Sequence, residues 1–197
     1  MIYRSIVIGL WSVMLVLGGW DKAPAGDFAV TSEEMVQGLT TPPSGFAGRT
    51  RSLSGPRTRT IAVVKKVENQ IVEETITVQL DDPSPRINLR IQFDYNSYTV
   101  RPDSYPLLAE LAKALQDQQL TGKTFFIKGH TCDLGSVQYN QRLSLNRAHA
   151  VRDLLTGLYS ISPDRLQPVG YGPAMPLPNT IPANREMNRR VEVQVVE

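Results

Sequence analysis

From Ile87 onward the hydrophobic period of the chain switches repeatedly between two and about 3.6 residues, and this switching restricts the fold more than any other feature. Ile87, Leu89, Ile91 and Phe93 alternate with Asn88, Arg90, Gln92 and Asp94, which predicts a strand with one buried face. Between Pro102 and Gln118, Leu107, Leu108, Leu111, Ala112 and Leu115 recur at helical spacing, and Pro106 is tolerable only in a first turn. A helix is therefore expected to begin near Asp103 or Ser104. Thr124 to Lys128 predicts a second strand, closed by the loop Gly129 to Gly135, and strand-helix-strand implies a right-handed parallel crossover. A second helix is expected from about Ser136 to Leu158, then a single turn around Pro163 to Arg165 and a short strand at Pro168 to Gly172. After another turn at Asn184 to Asn188, Val191, Val193 and Val195 alternate as a final strand. The order is βαβαββ and the expected class is α+β. The architecture is a two-layer sandwich in which a mixed four-stranded sheet carries helices on one face and solvent on the other.

The second helix holds a contradiction. Leu143, Val151, Leu154, Leu155 and Leu158 form its apolar stripe, and at about 100° per residue Arg147 falls between Leu143 and Val151. Asn140 lies about 20° from Arg147 on the same wheel, so two polar groups share the face that should pack on the sheet. A guanidinium placed there costs several kcal/mol unless an anion pairs with it. The anion is either an internal carboxylate, with Asp94 and Asp133 as candidates, or an external ligand.

Composition narrows the function classes. Lys plus Arg at 21 against Asp plus Glu at 19 leaves a net charge of +2, without the basic excess of a dedicated nucleic-acid binder. With one cysteine and two histidines in 197 residues, a Cys-rich zinc site and an internal disulfide framework are excluded, and no cofactor is implied.

The chain is expected to divide at residues 25 and 86. In residues 1–25, a short basic start, an uncharged run of sixteen residues from Ser5 to Trp20, and Ala23-Pro24-Ala25 predict a signal peptide. The alternative is a single N-terminal anchor, for which sixteen residues are short, and that segment is the only expected membrane contact. Lipid modification of an N-terminal cysteine is excluded, because the only cysteine is Cys132. Residues 26–86 carry Pro42-Pro43, Gly55-Pro56 and the basic series Arg49, Arg51, Arg57 and Arg59, and read as an extended linker. Two β-branched runs near its end, Ile61 to Val64 and Thr75 to Val78, predict a short hairpin. Residues 87–197 form the folded domain.

Several residue groups carry a resemblance. Ile91 to Ser97, Gly129-His130-Thr131, Gly135-Ser136, Tyr139-Asn140, Leu143-Ser144, Arg147-Ala148, Val151, Gly170-Tyr171-Gly172 and Asn188 to Val191 together resemble the peptidoglycan-associating domain of the OmpA C-terminal family. The resemblance covers about residues 87–197. It implies non-covalent binding of peptidoglycan through the diaminopimelate of the stem peptide, in the periplasm or cell envelope, close to the outer membrane, and no enzymatic activity. It also implies that Arg147 pairs with the diaminopimelate carboxylate, as its planar fork suits, and that Asn96, Thr131 and Asn140 line the same pocket. Read from the residues alone, Asn96 serves equally as a turn residue, Asn140 as a cross-link of the loop, and Thr131 as a partner of its own backbone.

At Cys132 the chain departs from the pattern. The resemblance places there an aspartate that receives the ligand's ammonium group, and the acid stands one place later, at Asp133. Adjacent Cα atoms lie about 3.8 Å apart, so Asp133 can swing in as the replacement, and its side chain can equally point elsewhere. Cys132 beside His130 lacks a third orienting group, and no paired carboxylates, metal set or triad appears, so catalytic residues are not expected. The alternative function is a periplasmic protein-protein interaction domain on the same scaffold, with an envelope protein as partner.

Overall fold

The computed structural model describes residues 28–43, 58–79, 82–177 and 185–196. The expected signal peptide or anchor, and Arg49, Arg51 and Arg57, lie outside the described residues. No helix among the described residues is long and apolar enough to cross a membrane.

The elements run α1 (Ser32–Thr40), β1 (Thr58–Val67), β2 (Gln70–Gln79), β3 (Arg86–Leu89), α2 (Tyr105–Gln116), β4 (Phe125–His130), α3 (Val137–Tyr159), β5 (Leu166–Gly172), α4 (Arg185–Asn188) and β6 (Val191–Val195). The α+β class and the order from β3 onward agree with the sequence reading. The strands form one mixed sheet in the order β2-β1-β5-β4-β6-β3. β6 pairs antiparallel with both β3 and β4, so the expected crossover through α2 joins parallel strands with β6 between them. The connection through α3 joins direct parallel neighbours, β4 and β5.

The apolar core lies between the sheet and the helices. Ile87, Leu89, Phe125, Ile127, Val191 and Val193 from the strands meet Leu108, Leu111 and Leu115 of α2 and Ala148, Val151 and Leu155 of α3. β3 is shorter than its period-two pattern, because the chain leaves the ladder after Leu89; Ile91 stays in the core and Phe93 bridges to Val100 instead.

Several expectations need correction. The sheet has six strands rather than four, because the hairpin is long and joins the sheet, Val64 of β1 pairing with Gly170 of β5. Ile61 and Val63 then pack on Tyr171, which gives the hairpin an apolar reason to dock. The stretch read as an extended linker also contains α1, whose Met35 and Leu39 are fully buried in the main core. Its N-cap is a capping box, with Thr31 accepting from the Glu34 backbone and Glu34 accepting from the Thr31 backbone.

The second face of the sheet is not left to solvent, since Lys128, His130, Arg190, Glu192 and Gln194 are all buried there. Glu192 pairs with two cations, Lys128 Nζ at 3.2 Å and Arg190 Nη2 at 3.6 Å, while Lys128 also bonds Gln194, Gln194 donates to Asp82 at 2.6 Å, and Arg190 donates to Asn88 at 2.8 Å. Burial raises the Glu192 carboxyl, but Lys128, His130 and Arg190 outweigh it and hold the group well below the ordinary carboxylate range. His130 Nε2 stands 3.5 Å from Glu192 Oε2 without forming a hydrogen bond, so both ring nitrogens are buried without one. Burial, with Arg190 next in effect, lowers the imidazole from 6.5 to about 4.

The buried face of α3 also differs from the expected leucine stripe. It consists of Asn140, Gln141, Ser144, Leu145, Arg147, Ala148, Val151 and Leu155, whereas Leu158 is exposed. Glycines of the sheet explain this, because they let the helix backbone rest on the strands. A Cβ on Gly129 would stand 2.1 Å from Ser144 O, and one on Gly170 would stand 2.7 Å from Gln141 O. At such range there is no room for leucines, and the polar side chains bond to main chain: Ser144 Oγ accepts from Gly172 N at 2.9 Å, and Gln141 Nε2 donates to Ala62 O at 3.2 Å.

Candidate functional site

Three chain segments meet at the amino-terminal part of α3. The first is the turn that follows Phe93, pinched by the Phe93–Val100 bridge and by Asp94 N donating to Thr99 O at 3.0 Å. Asn96 sits in it at φ +52°, a left-handed conformation that asparagine accepts readily. The second is the loop after β4, where Thr131 N donates to Gly172 O at 2.9 Å. The third is α3 itself, capped by Ser136, whose hydroxyl accepts from Tyr139 N at 3.2 Å.

α3 ties the two loops in place. Tyr139 donates its phenol proton to Asn96 Oδ1, which fastens the first loop. Asn140 Nδ2 donates to Leu134 O at 2.7 Å, which fastens the second, as expected of a cross-linking residue. Between these two tethers lies Arg147. Its Nε donates to Ser97 O at 3.1 Å, and its guanidinium carbon stands 4.7 Å from the centroid of the Phe93 ring.

Among the described residues no carboxylate pairs with Arg147. Neither internal candidate serves. Asp133 is taken by Arg185, whose Nε donates to Oδ1 at 2.6 Å and whose Nη2 lies 3.4 Å from Oδ2. That hydrogen bond holds the Asp133 carboxyl below its ordinary value. Asp133, the candidate to stand in for the acid absent at Cys132, is exposed here and pairs with Arg185. Asp94 is exposed and makes no ion pair with Arg147.

Burial is the main influence on Arg147 and lowers its basicity; Tyr139 and Cys132 act in the opposite sense, while Arg189 depresses it further. The Cys132 thiol is buried and within electrostatic reach of both Arg147 and Arg185. Thr131 is also buried, and its hydroxyl has no hydrogen-bond partner. The structure thus brings Asn96, Asn140 and Arg147 together around α3, with Thr131 and Cys132 on the adjoining loop, and turns Asp133 outward.

Four contributors carry the resemblance in the sequence without a role in the site being expected of them: Phe93, the Ser97 carbonyl, Tyr139 and Arg189. Phe93 had a signal, since its period-two register already placed it on the buried face. A backbone carbonyl such as Ser97 O has none in a side-chain pattern. Among the described residues no group of three or more His, Cys, Asp or Glu side chains converges as a metal site would require.

Comparison with known proteins gives the same assignment. Outer membrane porin F of Pseudomonas aeruginosa is 38% identical over 111 residues, which cover 56% of this chain and 31% of the porin. The peptidoglycan-associated lipoprotein of the same species is 31% identical over 115 residues, covering 58% of this chain and 66% of the lipoprotein. The chain spans about a third of the length of the porin F relatives it matches. The crystal structure of the periplasmic domain of Helicobacter pylori MotB superposes with a TM-score of 0.50 at 25% identity, over 60% of this chain and 77% of that one. These relatives are envelope proteins, the location expected from the sequence. The profile described as the OmpA family matches residues 92–190, half of the chain, and the chain belongs to that family.

Proposed function

We propose that this protein binds peptidoglycan non-covalently through the diaminopimelate stem peptide and so anchors or positions a component of the cell envelope. The observation that carries this reading is Arg147: a buried guanidinium, backed by an aromatic ring and held by one backbone carbonyl, with no acid beside it among the described residues. Removing a guanidinium from water without an anion is costly, so the site is organised for an anion that arrives from outside. The carboxylate of a stem peptide matches the planar fork. The buried Thr131 hydroxyl, without a partner, is a second group that a ligand would satisfy. One relative is a peptidoglycan-associated lipoprotein, which supports association with peptidoglycan.

The test is co-sedimentation with purified diaminopimelate-type sacculi. The parent protein is expected to pellet and an Arg147→Ala variant with an unchanged circular dichroism spectrum to stay in solution. Equal pelleting of the two would sink the assignment of Arg147. One observation favours a protein partner instead: Tyr95, Tyr98, Leu134, Val137 and Tyr139 are exposed on the segments framing the pocket, an apolar rim suited to a second protein surface. A folded parent that does not pellet would shift the reading to that rim.

A further inference from the structure

We infer that the pocket at Arg147 selects a carboxylate whose neighbouring amine is acylated, over the same carboxylate beside a free ammonium group. The inference rests on the wall-binding reading and concerns which chemical form of the diaminopimelate unit is taken.

The charges of the site decide it. Arg147 is buried there and Arg189 is near enough to depress its basicity, while Arg185 is neutralised by Asp133 on the outside of the loop. Among the described residues no carboxylate pairs with Arg147, and the exposed Arg189 adds a second positive charge within electrostatic reach of it. A zwitterionic amino-acid end would place its ammonium group among these cations with no acid to receive it, and like charges in a partly buried site repel strongly. Cys132 offers at that place a weakly polar thiol, and Thr131 a buried hydroxyl that has no partner. A hydroxyl and a thiol are compatible with a neutral amide, which needs neither a counter-ion nor full hydration.

The diaminopimelate side chain exists in both forms. In an uncross-linked stem peptide its outer amine is a free ammonium group, whereas in a cross-link that nitrogen is part of an amide and only the carboxylate remains charged. A pocket whose arginine has no acid beside it prefers the second form, so this protein favours the cross-linked wall over newly added, uncross-linked strands.

The experiment compares two probes in which the outer carboxylate is the only free one: meso-diaminopimelate acetylated on its inner amine and amidated on its inner carboxyl, and the same molecule acetylated on the outer amine as well. Binding of each to the protein is followed through the NMR signal of the Arg147 Nε–H group, with Arg147→Ala as the control for site. The acetylated probe is expected to bind at least tenfold more tightly, and Cys132→Asp, which supplies the missing acid, is expected to reverse the order. Equal or tighter binding of the free amine by the parent, or an order unaffected by Cys132→Asp, would overturn the inference. The two readings fail separately. Should neither probe move the Arg147 signal while sacculi still pellet the protein, the inference falls and wall binding stands. Should the acetylated probe bind as expected while sacculi do not pellet the protein, the selectivity holds and wall anchoring falls.

Discussion

Arg147 stacks on Phe93 with 4.7 Å between the guanidinium carbon and the ring centroid, so the cation is supported by a π face where a structural arginine would have a carboxylate. A cation-π contact of this kind contributes about 0.5–2 kcal/mol, less than it costs to bury the charge. The residue is thus held at the expense of the fold.

A stability gain on its removal follows. Arg147→Met keeps the length of the side chain and its packing against Phe93 but removes the charge. The variant is expected to be at least as stable as the parent in urea, by up to about 2 kcal/mol, while losing sacculus binding. A loss of more than about 2 kcal/mol would show that the arginine supports the fold.

The tether from Tyr139 to Asn96 should matter for binding more than for stability. Tyr139→Phe removes one partly exposed hydrogen bond, worth about 1 kcal/mol or less in unfolding. It frees the turn that presents Ser97 O to Arg147. Pelleting with sacculi is expected to weaken several-fold, and an unchanged affinity would show that the turn is held by its own backbone bonds.

Glycines at the sheet and in the helix should respond in opposite directions. Gly129→Ala drives a Cβ to 2.1 Å from Ser144 O, where only a shift of main chain can relieve the overlap. A loss of about 3 kcal/mol or more is expected. Gly157 lies within α3 with open space around it, so Gly157→Ala should raise stability by about 0.5–1 kcal/mol. Chemical denaturation of the two variants checks both signs.

The imidazole of His130 gives the fold a pH dependence. Its folded value, about 4, lies below the ordinary 6.5, so between these values the unfolded chain binds a proton that the folded chain refuses. Stability therefore falls as pH drops from 6.5 to 4, by about 3 kcal/mol at about 1.4 kcal/mol per pH unit. Glu192, held low by Lys128, His130 and Arg190, acts in the same sense: its contribution is present above the ordinary carboxylate value and is lost as pH falls further. Unfolding free energies measured across this range should show the slope, and His130→Gln should flatten its upper part. A parent that is flat from pH 7 to 4 would contradict the buried placement of the ring.

The parts of the fold that could be read beforehand are those in which side chains alone set the pattern. The alternation at Ile87 and Leu89 and the leucines of α2 gave strand and helix directly, and Arg147 announced itself by being polar on a buried face. The face of α3 was misread because its contact with the sheet is made by main chain over Gly129 and Gly170, and hydropathy has no term for a helix that packs through its carbonyl groups. α1 was overlooked within a proline- and glycine-bearing stretch, although Thr31 and Glu34 stand at capping-box spacing with Met35 and Leu39 one turn apart. The role of Asp133 was beyond reach, since its partner Arg185 lies fifty-two residues away in sequence and only the folded chain brings them together.

The contact of α3 with Gly129 and Gly170 also has a mechanical meaning. A joint made of main chain has one thickness, whatever residues decorate the helix, so the gap between the strand ends and the start of α3 behaves as a fixed gauge. Side chains beside that joint can be exchanged without resetting it. A substitution at Cys132 therefore changes the polarity beside Arg147 and leaves the spacing of helix and sheet as it was.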